Sequence, residues 1–258
     1  MNTLPNGSLH GEEAISPYAE PAPGIIPEAR STQKGVSVSY APAPGSRWYV
    51  LRASYGREVK VRDLLVEMGL YAYVAQKYVV KEVAGKRKKV LASLLPNLVF
   101  AYIPRAEANF YVKGPSAAFI QENKGKAPEE RTPDSTLRKM MELSMLTSFY
   151  YNHFEQEETD AGKNPPLTIC EDEMRAFILA TSTRSTHLKS VDLEKCRFRD
   201  NQTVRVVQGD YAGVTGRIAR VAGHQCIVVS LANGRWNIST DYIPTPFIRV
   251  VEEGVGNP

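Results

Sequence analysis

The apolar positions of the chain fall into two rhythms. In RWYVLRA they alternate, with Trp48, Val50 and in phase Arg52 on one side and Tyr49 and Leu51 on the other, which predicts a strand with two usable faces. Past Gly56 the period changes. Val61, Leu64, Leu65 and Met68 recur at helical spacing, with Lys60, Arg62, Asp63 and Glu67 elsewhere, which predicts an amphipathic helix over 57–68 that stops at Gly69. YAYVAQKYVVKEV follows, rich in Tyr and Val, then a basic loop around Gly85, then VLASLLPNLVFAYIP. Pro96 suits a bend or a strand start. Beyond it Leu98, Phe100 and Tyr102 point one way and Val99, Ala101 and Ile103 the other. Both sets are apolar, so this strand is either buried between two layers or presents one face to a partner.

Residues 105–135 carry ENKGKAPEERTPDS and no apolar period, and read as an irregular insertion; Leu137 to Tyr151 begins as a helix and turns extended at SFYYNHF. Thr168 and Glu171 have the spacing of a capping box that opens a helix near 170–181, with Met174, Phe177 and Ile178 as its buried stripe. TSTRSTHLKSVDLEKCRFRDN is polar and weakly patterned, and predicts a mobile linker over 183–201. From Gln202 to Val251 short β-branched runs alternate with turn signals at Gly209-Asp210, Gly223-His224 and Asn233-Gly234, which predicts a small barrel. Gly209, Gly213, Gly216 and Gly223 would each weaken a helix there by about 1 kcal/mol, so this part is expected to be permanently stranded. The fold class is α+β: strand, helix, strand, strand, helix, then a barrel module on its own.

Composition changes the picture little. The chain has 258 residues, with 32 Lys and Arg against 28 Asp and Glu, and a net charge of +4 does not by itself imply nucleic acid. Distribution says more: KEVAGKRKKV at 81–90 holds five basic side chains and one acid, a solvated loop or a phosphate-facing patch. Cys170, Cys196 and Cys226 form neither a disulfide framework nor a zinc pattern, which points to a reducing compartment. Met1 to Gly45 has no secretory pattern and no apolar run spans a membrane, so the expectation is a cytoplasmic protein with no membrane partner. Recurrent Pro and Gly predict a disordered tail at 1–46, and residues 253–258 read as a short C-terminal tail. Enzyme signatures are missing: AGKRKKV lacks the spaced glycines of a P-loop, and His10, His153, His187 and His224 are scattered. His153 beside Glu155, Glu157 and Glu158 reads as a surface cluster, and no cofactor, metal or catalysis is expected.

TVRVVQGDYAGVTGRIARV resembles the KOW motif, a strand, Gly-bearing turn and strand that open an SH3-like barrel in transcription and ribosomal proteins. WYVLRASYGREVKVRDLL followed by GKRKKVLASLLPNLVFAYI resembles the N-terminal (NGN) domain of NusG-family elongation factors, including their RfaH-like members, and PLTICEDEMRAFI resembles that domain's last helix. The resemblance covers about 47–104, 165–181 and 202–252. It implies an NGN-like α/β sandwich with an antiparallel sheet over 47–182, interrupted by an insertion at about 105–165, then the linker and a KOW barrel over 202–252. The long tail, the insertion and the YIPTPFIRVV ending look like the UpxY type of paralogue, linked to antitermination in capsular polysaccharide operons.

What the resemblance implies for function is a factor that docks an apolar sheet patch on the clamp helices of the largest RNA polymerase subunit, bridges the cleft and suppresses pausing. The matching positions are Leu95, Leu98, Phe100 and Tyr102, which must be exposed for that role. In RfaH-like members the segment joining the first strand and helix reads non-template DNA. Here it contains Tyr55, Arg57 and Lys60, with Arg52 upstream, although Ser54-Tyr55 replaces the family's basic pair before the glycine. Through its KOW barrel such a protein can also engage the ribosome or a termination factor. The competing reading is a KOW-type RNA- or ribosome-binding accessory protein whose first domain is merely structural.

Overall fold

The computed structural model describes residues 43–153, 164–183, 185 and 187–251. The tail expected at 1–46, all but its last residues, the tail at 253–258, and Glu155, Glu157 and Glu158 lie outside the described residues.

The alternating residues of RWYVLRA form β1 (Ser46–Ala53), and the helical period after Gly56 forms α1 (Glu58–Glu67). β2 (Tyr71–Tyr73), β3 (Gln76–Val83), β4 (Lys86–Ser93) and β5 (Leu98–Pro104) follow. β1, β2 and β5 join β6 (Thr147–Phe149) and β7 (Thr168–Ile169) in one antiparallel sheet of order β2-β5-β1-β6, with β7 also on β1. β5 is central, and its two apolar sets separate as the alternation predicts. Val99, Ala101 and Ile103 meet Val61, Leu64 and Leu65 of α1 in one core, whereas Leu98, Phe100 and Tyr102 meet Met174 and Phe177 in the other.

The basic segment around Gly85 is not a loop. β3 and β4 pair over their whole length as a separate two-stranded ribbon, closed by Ala84 (φ 51°) and Gly85 (φ 71°). Two consecutive residues at positive φ make the tight turn whose twist matches that of its strands.

The insertion is ordered as well, which corrects the irregular reading of 105–135. It holds α2 (Ala108–Lys113), α3 (Ala117–Gly125) and α4 (Asp134–Leu146). Its order comes from polar groups, which periodicity does not register: Asn123, buried, donates from Nδ2 to the Thr132 carbonyl at 2.9 Å and accepts the Thr132 N–H at 2.8 Å. Arg131 donates to the carbonyls of Lys124 and Lys126. Ala108, Val112, Leu143 and Leu146 then complete the α1 side of the sheet.

On the opposite face lies α5 (Glu171–Thr181), close to its predicted bounds. Its capping box is not formed. Thr168 is drawn into β7 opposite Tyr49, the N-cap is Cys170 without a side-chain bond, and the Glu171 carboxylate accepts from the Tyr102 hydroxyl at 2.9 Å.

The rest of the chain is a six-stranded antiparallel sheet: β8 (Lys189–Ser190), β9 (Arg197–Val206), β10 (Thr215–Val221), β11 (His224–Leu231), β12 (Trp236–Ser239) and β13 (Ile248–Val250), in the order β13-β9-β10-β11-β12-β8. Gly216 allows the closest packing in it, because a Cβ there would stand 2.5 Å from the Val228 carbonyl oxygen and 2.7 Å from Ile227 Cγ2. The segment expected to be a bare linker contributes β8 to this sheet, and Leu188 is fully buried. Nor does the sheet stand apart: it rests on α5, and Val204, Ile227, Val229 and Ile238 share a continuous core with Phe100, Phe177 and Leu179. The order of layers is helices, first sheet, α5, second sheet.

Candidate functional site

The turn after β1 is built to display one ring. Tyr55 has φ 56° and ψ 38°, uncommon for a residue with a Cβ, and its side chain is 91% exposed. The strain is held by Asn97, at the start of β5. Its carbonyl accepts the Ala53 N–H at 2.9 Å and its Oδ1 the Gly56 N–H at 3.2 Å. The Asn97 N–H in turn donates to Glu58 Oε1 at 2.6 Å, and Glu58 is buried. Arg57 places its guanidinium 5.9 Å from the Tyr55 ring centroid. An exposed aromatic face beside a cation can stack an unpaired base and hold its phosphate.

The other two residues expected at this site are engaged elsewhere. Lys60 is ion-paired with Glu142 of α4. Arg52 lies 4.7 Å over the ring of Tyr150, which Arg235 of the second sheet approaches to 5.3 Å. Hydrogen bonding from Arg235, helped by Arg52 and by both positive charges, pulls the Tyr150 phenol below the usual tyrosine range even against its desolvation. The structure thus brings Tyr55 and Arg57 together and leaves Arg52 and Lys60 in separate contacts.

Leu95, Leu98, Phe100 and Tyr102 are all buried, against the expectation of an open face. The cause is α5: Phe177 packs edge-on against Phe100 at 5.4 Å, and Glu171 ties down Tyr102. Tyr102 also lies 5.3 Å from Trp48. Tyr73, on the same side, hydrogen-bonds Thr181 at 2.6 Å, and burial pushes its phenol up to about 12.

The contact between α5 and the second sheet escapes sequence reasoning. Glu173 Oε2 accepts the Ala232 N–H at 3.1 Å, and Trp236 meets Tyr150 edge-on at 5.3 Å. Leu179 of α5 fills the space beside Gly213. A signal for it was present in the run from Met174 to Ala180, apolar on more than one stripe, because a helix that is apolar all round is buried on all sides. Among the described residues no group of His, Cys, Asp and Glu could hold a metal ion, and no helix is long and apolar enough to cross a membrane.

Residues 46–128 match the family model described as transcription termination factor nusG. No curated protein matches. Among solved structures the chain is similar to the one described as "Domain interaction in Thermotoga maritima NusG", at 14% identity and a TM-score of 0.30, covering 80% of this chain and 98% of that one. The segment that builds β1, the Tyr55 turn, α1, the basic ribbon and β5 is therefore similar to the NusG family, and the chain is NusG-like in that part.

Proposed function

We propose that this protein is a NusG-like antitermination factor that binds RNA polymerase through its first domain and suppresses pausing or termination. The observation that carries the reading is the family match over residues 46–128, which contains both β5 and the Tyr55 turn. The polymerase-facing surface is the sheet face of Leu95, Leu98, Phe100 and Tyr102, and its partner is the pair of clamp helices. Because α5 and the second sheet lie over that face, binding requires the cover to part. Tyr55 and Arg57 take the exposed non-template strand. The second sheet is a KOW-type barrel which, once released, engages the ribosome or a termination factor. The long N-terminal segment, the insertion and the YIPTPFIRVV ending support the UpxY type, whose targets are polysaccharide biosynthesis operons.

A pull-down with core RNA polymerase, with and without nuclease, tests the reading. Retention that survives nuclease is the expected result. Retention only in the presence of RNA would replace it with the RNA-binding accessory role.

A further inference from the structure

The β3–β4 ribbon has two unlike faces. Its register puts Lys81 opposite Lys88 and Val83 opposite Lys86, so that Lys81, Lys86 and Lys88 share one face of the distal half; Glu82 lies opposite Arg87 on the other. The other face is mixed: Glu82 sits across from Arg87, and Lys89 covers the Tyr78 ring at 4.5 Å. The lysine face has no acid on it. Lys81, Lys86 and Lys88 are exposed, and among the described residues none has an ion-pair partner.

Like charges directly opposite each other weaken a hairpin, since their Cβ atoms stand only about 5 Å apart. Lys86 precedes Lys88 by two residues on β4, about 7 Å away along the same face. The ribbon therefore holds three ammonium groups close together with nothing of its own to balance them, on a tip narrowed by the Ala84-Gly85 turn. That geometry complements a run of phosphates. It is also preformed, so little order remains to be imposed on binding.

Position adds to this. Ala75 and Leu94 close the root of the ribbon through a 2.8 Å hydrogen bond, and Leu94 is three residues before Asn97, the brace of the Tyr55 turn. β1 ends and β5 begins at that same end of the sheet, as the pairing of Arg52 with Leu98 shows. The lysine face and the Tyr55 turn thus leave the domain from one end.

We propose that the Lys81, Lys86 and Lys88 face of the β3–β4 ribbon binds the sugar–phosphate backbone of duplex DNA. A two-stranded ribbon fits the major groove of B-form DNA, whereas the deep, narrow major groove of A-form RNA excludes it. Lysines act as point charges and no base-reading amide accompanies them, so binding is independent of sequence. The assignment does not depend on polymerase binding, and its test uses DNA alone.

The experiment is fluorescence anisotropy of the full-length protein with a labelled 24-base-pair DNA duplex across a salt series. Three phosphate contacts predict that log affinity falls against log salt with a slope component of about −2.7, or roughly 40-fold between 50 and 200 mM. Lys81→Gln, Lys86→Gln and Lys88→Gln together should remove that component and weaken binding about 10-fold or more, with circular dichroism unchanged. The triple arginine variant at the same positions should bind as the native chain does, which excludes a folding defect. Lys113→Gln, Lys124→Gln and Lys189→Gln, equal in net charge but elsewhere, should change affinity less than twofold. Equal losses in the two glutamine triples would overturn the proposal, as would a native salt slope shallower than about −2. Tighter binding of an equivalent RNA duplex, or equal binding of polyglutamate, would also overturn it.

Discussion

The two faces of the first sheet carry similar amounts of apolar side chain and are covered by different means. On one, Val99, Ala101 and Ile103 lie beneath α1, α2 and α4 in a core of aliphatic contacts that ends with those helices. On the other, Leu98, Phe100 and Tyr102 lie beneath α5, and α5 itself lies beneath a second sheet. The contact there is an apolar core as well, in which Val204, Ile227, Val229 and Ile238 meet Phe177 and Leu179, with Glu173 bonded to the Ala232 N–H and Tyr150 set against Trp236 beside it. The difference lies in the cover itself: the second sheet is paired within itself and shares no strand with the first, so it can separate as a unit by sub-global opening while the first sheet stays folded.

Phe177→Ala should have the largest effect, because the ring is fully buried between the two sheets. A loss of about 3–5 kcal/mol in chemical denaturation is expected. Leu143→Ala, buried under the other face, should cost about 2–5 kcal/mol but leave the second sheet's NMR shifts unchanged. If Leu143→Ala perturbs the second sheet as much as Phe177→Ala does, the two covers are not independent.

Next in size is a pH effect confined to the α5 face. The Tyr73 phenol is raised by burial to about 12, above its ordinary 10.0, so folding favours the protonated form. The corresponding stability is fully present below pH 10 and lost as pH rises towards 12, by about 2–3 kcal/mol. Tyr73→Phe should flatten the alkaline limb of a stability-against-pH curve, and an unchanged limb would assign alkaline sensitivity to other groups.

Gly216→Ala should destabilise the second sheet by about 1–3 kcal/mol, since the new Cβ meets the Val228 backbone. Hydrogen exchange should show faster opening of β10 and β11 while β1 and β5 hold their protection. The smallest effect on stability belongs to Tyr55→Gly. It relieves a positive φ and should leave stability unchanged or raise it by up to about 1 kcal/mol, while weakening single-stranded DNA binding by the 1–3 kcal/mol of a lost stack. A parallel loss of both would mean that Tyr55 serves the fold.

Legibility followed the periodicity of each segment. β1, α1, β5 and α5 were readable because each has an apolar rhythm against polar neighbours, and the two-faced character of β5 follows from alternation alone. The ordering of 105–135 was not, because it depends on Asn123 and Arg131 bonding backbone groups across a loop. The failed capping box has the same origin: Thr168 and Glu171 had the right spacing, but strand pairing and Tyr102 offered them other partners. Of the candidate site, Tyr55 and Arg57 were legible as neighbours in one turn, whereas the engagement of Arg52 with Tyr150 and of Lys60 with Glu142 was not. For Leu95, Leu98, Phe100 and Tyr102 the alternation left burial and exposure both open, and the outcome is decided by α5 and by the second sheet seated on it, both distant in sequence.

In the proposed function the polymerase-facing surface is the α5 side of the sheet, and the second sheet restrains it. Glu173→Ala with Trp236→Ala removes two of the holding pairs and touches none of Leu95, Leu98, Phe100 or Tyr102. The direct measurement is the affinity of the full-length native chain and of this variant for core RNA polymerase by surface plasmon resonance. Because apparent affinity scales with the fraction of molecules whose surface is open, the variant should bind several-fold more tightly, mainly through a faster on-rate. Equal affinity for the two chains, or weaker binding by the variant with its fold intact, would contradict the account.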